Sequence, residues 1–163
     1  ILKRMKRRHS RSQAIDLCHK LKSARPEIAL GADLIAGFPT ESEAQLENTL
    51  SLIEECQLSF VHAFSFSPRA GTPAARMPQL DRPVVKKRAA RLRDAGQRSL
   101  VRHLEGWIGR EAVALAERDG FARLPDFTGI VIKPQSATKC EAGRHHRLRF
   151  VAHDSQHLVG VPV

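Results

Sequence analysis

The sequence predicts an α/β fold followed by a small antiparallel β-barrel of OB-like type, and three observations lead there. Residues 10–103 read helix, strand, helix, strand, helix with short connections, the order of βαβ units in a parallel sheet. After Gly106-Trp107-Ile108-Gly109 the texture changes to short β-like runs separated by turn residues. The 163 residues, 42% hydrophobic and 27% charged, are enough for one or two domains with cores of their own. The expected division is 1–105 and 106–163.

Each element has a local cause. Ser10 with Gln13 has capping-box spacing and opens a helix in which Ala14, Leu17, Cys18 and Leu21 recur at helical period. Arg25-Pro26 ends it. The apolar run Ile28–Ala36 fits a buried parallel strand, interrupted by Asp33. Gly37-Phe38-Pro39 breaks that strand, and Thr40 with Glu43 reads as a second capping box before a helix with Leu46, Leu50 and Ile53 on its buried stripe. Phe60–Phe66 is the second strand, and Ser67–Pro73 is a loop dense in breakers. Asp81 before Pro83 begins a long basic helix with Val85, Ala89 and Leu92 inside, running to about His103. Beyond the boundary the expected strands are Ala112–Ala116, Phe127–Ile132, Arg147–Val151 and Leu158–Val163, with turns at Asp119-Gly120, Lys133-Pro134 and His153-Asp154. Two parallel strands do not complete a sheet or barrel, so the first part calls for further strands on its N-terminal side. A start at Ile1 also reads as a piece of a longer chain.

Charge and cysteine content narrow the function classes. The net charge of +10 is uneven: residues 1–103 hold 19 Lys/Arg against 10 Asp/Glu, and residues 104–163 hold 8 against 7. The basic runs are Lys3–Arg11 and Lys86–Arg102, an excess that attracts polyanions and makes nucleic acid the leading partner. The near-neutral C-terminal part directs the phosphate contact to the basic helix at 82–102. No run approaches the roughly 20 apolar residues of a membrane span, and residues 1–8 lack the apolar core of a signal peptide. Cys18, Cys56 and Cys140 are odd in number and far apart, which argues against a disulfide framework and for a reducing, cytoplasmic compartment. Each reads as a small buried hydrophobe.

Ligands of parallel α/β folds sit beyond the carboxyl ends of the strands, which singles out two loops. In the first, Gly37 allows close backbone approach, Phe38 offers a flat apolar face, and the helix start after Thr40 favours anions. In the second, Arg69 between Pro68 and Ala70-Gly71 is placed to hold a carboxylate or phosphate. Asp33 within an apolar strand is expected either to line a polar cavity or to meet a basic partner. His62 shares a face with Phe60 and Phe64 and reads as a satisfied core histidine. His145, His146, His153 and His157 near Cys140 match no regular zinc spacing, so no metal site is expected.

Three phrases together resemble one family. Ile1–Ser10 (ILKRMKRRHS), Ala32–Glu41 (ADLIAGFPTE) and Phe64–Met77 (FSFSPRAGTPAARM) are similar to the radical S-adenosylmethionine methylthiotransferases. KRMKRRHS and FSPRAGTPAARMPQ look most like those acting on threonylcarbamoyladenosine in tRNA. Glu117–Phe121, Pro125–Thr128 and Leu158–Gly160 resemble that subgroup's TRAM domain.

The resemblance implies the C-terminal portion of a partial (βα) radical S-adenosylmethionine barrel followed by a TRAM barrel that grips tRNA. It implies S-adenosylmethionine as cofactor, and 4Fe–4S clusters held by an N-terminal part not included here. Cys18, Cys56 and Cys140 lack the Cys-x-x-x-Cys-x-x-Cys spacing of the radical cluster, and the family's cofactor-contacting Gln-Ser-Gly phrase would lie just before Ile1. The chain alone is therefore expected to be inactive and to contain no catalytic residue. By position in the motifs, Arg7, Ile35, Gly37, Phe38 and Pro39 are implied to line the cofactor. Arg69 is implied to face the substrate, and Lys86, Lys87, Arg88 and Arg91 are the expected RNA contacts. Further partners implied are an electron-donor protein such as flavodoxin or ferredoxin; no membrane contact and a monomer are expected. Competing readings are a stand-alone RNA-binding module, and a methylthiotransferase acting on isopentenyladenosine in tRNA or on a ribosomal protein.

Overall fold

A computed structural model describes residues 1–118, 120–133 and 140–163, so Asp119 and Pro134 of the expected turns lie outside the described residues. The chain divides into two compact units, Ile1–Ser99 and Leu100–Val163. No helix of the described residues is long and apolar enough to cross a membrane.

The first unit runs α1 (Arg11–Ala24), β1 (Gly31–Ala36), α2 (Glu43–Glu55), β2 (Phe60–Ser65), a 3-10 turn at Pro73–Arg76, and most of α3 (Arg82–Glu105). The Ser10–Gln13 capping box forms at the start of α1. The second box sits two residues later than expected, at Ser42 with Gln45. Thr40 adopts a left-handed conformation, φ +68°, whereas an N-cap is extended. Strands β1 and β2 pair in parallel, from Gly31 opposite Phe60 to Ala36 opposite Ser65.

Alternation then sorts the side chains of this sheet. Ala32, Leu34, Val61 and Ala63 pack on a core built from Leu46 and Ile53 of α2 and Ala89, Leu92 and Ala95 of α3. Helix α3 approaches so closely that a Cβ at Gly96 would stand 2.8 Å from the Val61 Cβ. The other face carries Asp33, His62 and Phe64, all exposed. Two expectations are thereby corrected. Asp33 is not a buried carboxylate and His62 is not a core histidine, because helices cover only one side of the sheet.

The second unit is a closed barrel of five strands: β3 (Glu111–Arg118), β4 (Phe121–Arg123), β5 (Gly129–Ile132), β6 (His145–His153) and β7 (Leu158–Pro162). Its order is β3-β4-β5-β7-β6, closed by β6 on β3. Four pairings are antiparallel and β5–β7 is parallel. The OB-like architecture is as read, with two corrections. A strand was missed at Phe121–Arg123, since three residues are too few to show a period, and Phe127 belongs to a turn. Phe150, Leu148, Ile130, Leu158 and Leu104 fill the interior, and Trp107 meets Phe150 edge-on at 5.6 Å. Gly160 lets β7 pass Ile130, whose Cγ2 would be 2.9 Å from an added Cβ.

Candidate functional site

In the first unit a cavity of about 1120 Å³ runs along β1, lined among others by Arg4, Arg7, Asp33, Ile35, Glu41 and Asn48. Among the described residues β1 pairs with β2 alone, so one strand edge opens onto this space. Arg7 is exposed and its backbone N–H is fixed on the Leu2 carbonyl at 2.9 Å. Arg4, which lines the same cavity, donates to the Thr40 hydroxyl. Of the residues expected at the cofactor, Arg7 and Ile35 thus share one cavity wall.

Gly37, Phe38 and Pro39 do not line that cavity; they are buried in the turn after β1. Gly37 has φ +75°, and a Cβ there would stand 2.7 Å from Val85 Cγ2 of α3, so its lack of a side chain serves helix packing. Its N–H donates to Glu41 Oε2 at 2.9 Å. Phe38 is 4% exposed and lies edge-on to Phe66 at 5.2 Å.

Arg88 is buried against the same carboxylate. Its Nη1 donates to the Glu41 carbonyl oxygen at 2.6 Å and to Glu41 Oε2 at 3.0 Å, and its Nη2 reaches Glu43 at 3.3 Å. Sequence reasoning placed Arg88 with the RNA contacts and missed this clamp. The signal was present: Arg88 falls between Val85 and Leu92 at helical spacing, on the apolar stripe of α3. Arg91 is half-exposed and ion-paired with Glu43 and Glu47, while Lys86 and Lys87 are exposed. Arg69 is exposed, and its carbonyl accepts from the Thr72 hydroxyl at 2.8 Å.

The thiols do not converge on one point. Burial, and then the neighbouring Cys18, push the Cys56 thiol up to about 12. Cys140 lies in the barrel core, where burial also raises its thiol. These cysteines do not fit an iron–sulfur cluster, and no group of three ligating side chains able to hold a metal occurs among the described residues. His146 is bonded to the Glu141 carbonyl at 3.2 Å, and His157 faces Asp154 at 3.4 Å.

On the barrel, β4 and β5 present a second constellation. Ala122 and Ile130 point inward, which turns Phe121, Arg123, Gly129 and Val131 outward. Arg118 and Arg123 place their guanidinium carbons 5.2 and 5.5 Å from the Phe121 ring centre, and His157 meets that ring edge-on at 5.5 Å. Gly129 makes this possible: a Cβ there would be 2.7 Å from the His157 ring and 3.0 Å from Phe121. Arg123 is also held by Glu117 at 2.8 Å. The Arg118, Phe121, Arg123 spacing was the sequence signal for this face and went unused.

No family model matches the chain. Curated relatives do. A protein of Rickettsia prowazekii named threonylcarbamoyladenosine tRNA methylthiotransferase MtaB is 47% identical over 130 residues, 80% of this chain and 31% of its own length. A tRNA-2-methylthio-N(6)-dimethylallyladenosine synthase of Ruegeria pomeroyi is 34% identical over 98% of this chain and 37% of its own. One of Erythrobacter litoralis with the same name is 39% identical over 74% of this chain. The chain spans about a third of the length of these relatives, and it belongs to the radical S-adenosylmethionine methylthiotransferase family.

Proposed function

We propose that this chain is the C-terminal portion of a tRNA methylthiotransferase that adds a methylthio group to threonylcarbamoyladenosine, using S-adenosylmethionine and 4Fe–4S clusters. The observation that carries the reading is the 47% identity to the Rickettsia protein of that name. The chemistry of the chain agrees with it. The first unit offers a cavity open along a strand edge, with Arg7 to meet a carboxylate or phosphate and Ile35 as an apolar wall. The three cysteines do not fit a cluster, so cluster ligands belong to polypeptide outside these 163 residues. When bound, the cofactor supplies a radical; the residues here position it and exclude water. The RNA partner is tRNA, met by exposed cations including Lys86, Lys87 and Arg69. Gly37, Phe38, Pro39 and Arg88 support the site by fixing the turn after β1.

The test is nucleoside analysis of tRNA from a strain lacking the gene. Loss of the methylthio derivative of threonylcarbamoyladenosine is expected. Loss of methylthio-dimethylallyladenosine instead would assign the activity named for the Ruegeria relative. Retention of both overturns the enzyme reading in favour of an RNA-binding module.

A further inference from the structure

Among the described residues of the barrel, Phe127 is the most exposed large apolar side chain, at 75%. Its backbone is left-handed, φ +70°, a conformation that bulky residues rarely adopt. The turn between β4 and β5 enforces it. Phe127 N–H donates to the Leu124 carbonyl at 2.9 Å, Leu124 N–H to the Thr128 carbonyl at 3.0 Å, and Thr128 N–H to Asp126 Oδ1 at 2.9 Å. Arg123 Nη1 adds a bond to the Phe127 carbonyl at 2.9 Å, and His103 Nε2 is hydrogen-bonded to the Thr128 hydroxyl at 2.9 Å, 3.3 Å from Asp126 Oδ2. A strained backbone fixed by five polar contacts, all to project one ring into water, is an arrangement that folding alone does not reward.

The surroundings say what the ring meets. Arg123 links the Phe127 turn to the outward face of β4 and β5, where Phe121 lies with Arg118 and Arg123 against its ring, and the exposed Lys133 directly follows β5. Flat rings interleaved with guanidinium groups suit stacked bases and their phosphates, a local grouping on a barrel whose overall charge is near neutral. Paired RNA hides its base faces, so the matching ligand is unpaired. The β4–β5 face is also where five-stranded barrels of this order take oligonucleotides.

We propose that Phe127 stacks on an unpaired nucleotide of the RNA, with Arg118 and Lys133 meeting the adjoining phosphates. The proposal rests on the RNA partner inferred above and locates its single-stranded contact on the barrel.

Three probes bound by the 163-residue chain test it: a tRNA transcript, an unstructured 12-nucleotide RNA, and that RNA annealed to its complement. Phe127→Ala is expected to weaken single-strand binding about 10-fold or more with little change on the duplex. Phe127→Trp restores binding and Phe127→Leu does not, because stacking needs a π face. Phe127→Gly removes the backbone strain, so the unfolding midpoint holds or rises while binding falls. The salt slope stays the same in Phe127→Ala and drops by about one in Arg118→Gln. Wild-type chain that binds tRNA, with Phe127→Ala binding the 12-mer equally well, overturns this proposal and leaves the tRNA reading standing. Failure of the wild type to bind tRNA overturns the RNA reading itself. A concentration-dependent dimer abolished by Phe127→Ala overturns the proposal in favour of self-association.

Discussion

The barrel and the two-stranded sheet satisfy their backbones in opposite ways. Each barrel strand has a neighbour on both sides, because β6 returns to β3 and no edge is left over. β1 and β2 share one ladder, with helices on one face and exposed side chains on the other. A strand edge and an open face are liabilities unless something covers them. The barrel therefore pairs every strand on both sides, while the α/β unit leaves a strand edge unpaired among the described residues. The same contrast separates the two proposals above: the proposed cofactor wall lies along the open strand edge of the first unit, and the proposed nucleotide contact lies on the closed barrel.

The largest expected effect tests whether the barrel stands on its own core. Phe150 is fully buried, and Phe150→Ala should cost about 3–5 kcal/mol. Trp107 touches that ring, so its fluorescence in a urea titration reports the loss. Amide exchange in β1 and β2 should stay unchanged at low urea. Simultaneous loss of protection in both units would remove the contrast.

The next test concerns what fixes the open sheet's ligand-end turn. Glu41→Gln leaves Arg88 buried beside a neutral amide and should cost about 3 kcal/mol. The double variant with Arg88→Met should recover part of that. A loss under ~0.5 kcal/mol, as expected for a surface pair, would mean that the clamp does not hold the turn. Gly37→Ala should cost about 1–2 kcal/mol from its left-handed backbone, plus whatever Val85 must shift. A thermal melt measures both.

Much of this contrast was legible from residues, and the exceptions have physical causes. Helix periods, the Ser10 cap and the parallel order were readable because each is a local pattern. The exposure of His62 and Asp33 was not legible because alternation says which residues share a face, never which face is covered, while Asp33 does line the cavity, one of the two settings its place in the strand allowed. Arg88 was grouped by charge when its position on the apolar stripe of α3 was the better guide. The meeting of Cys18 and Cys56 joins two helices, and no spacing rule announces it. Strand β4 was too short to show a period, and with it the Phe121 face went unseen. Burial and the neighbouring Cys18 raise the Cys56 thiol to about 12, so that thiol should resist alkylation at pH 8 in the folded chain. Mass mapping after a timed iodoacetamide pulse should find Cys18 modified well ahead of Cys56. Equal rates would show that the pair is not packed as described.

The smallest expected effect is on the acid side of the barrel. Burial would raise the Asp126 carboxyl, but hydrogen bonds from His103 and from the Thr128 backbone and hydroxyl outweigh it and hold the group below its usual range. A carboxyl depressed in the folded state contributes stability above the unfolded value of about 3.9. That contribution disappears as pH falls through the folded value. Asp126→Asn should therefore be less stable than wild type at pH 7, with the gap narrowing below about pH 4. Because Asp126 Oδ1 accepts from Thr128 N–H, the variant should also exchange that amide faster at pH 7 and loosen the turn bearing Phe127. A gap that stays constant down to pH 3 would mean that Asp126 acts by shape alone, and that the turn's rigidity comes from Arg123 and the backbone bonds.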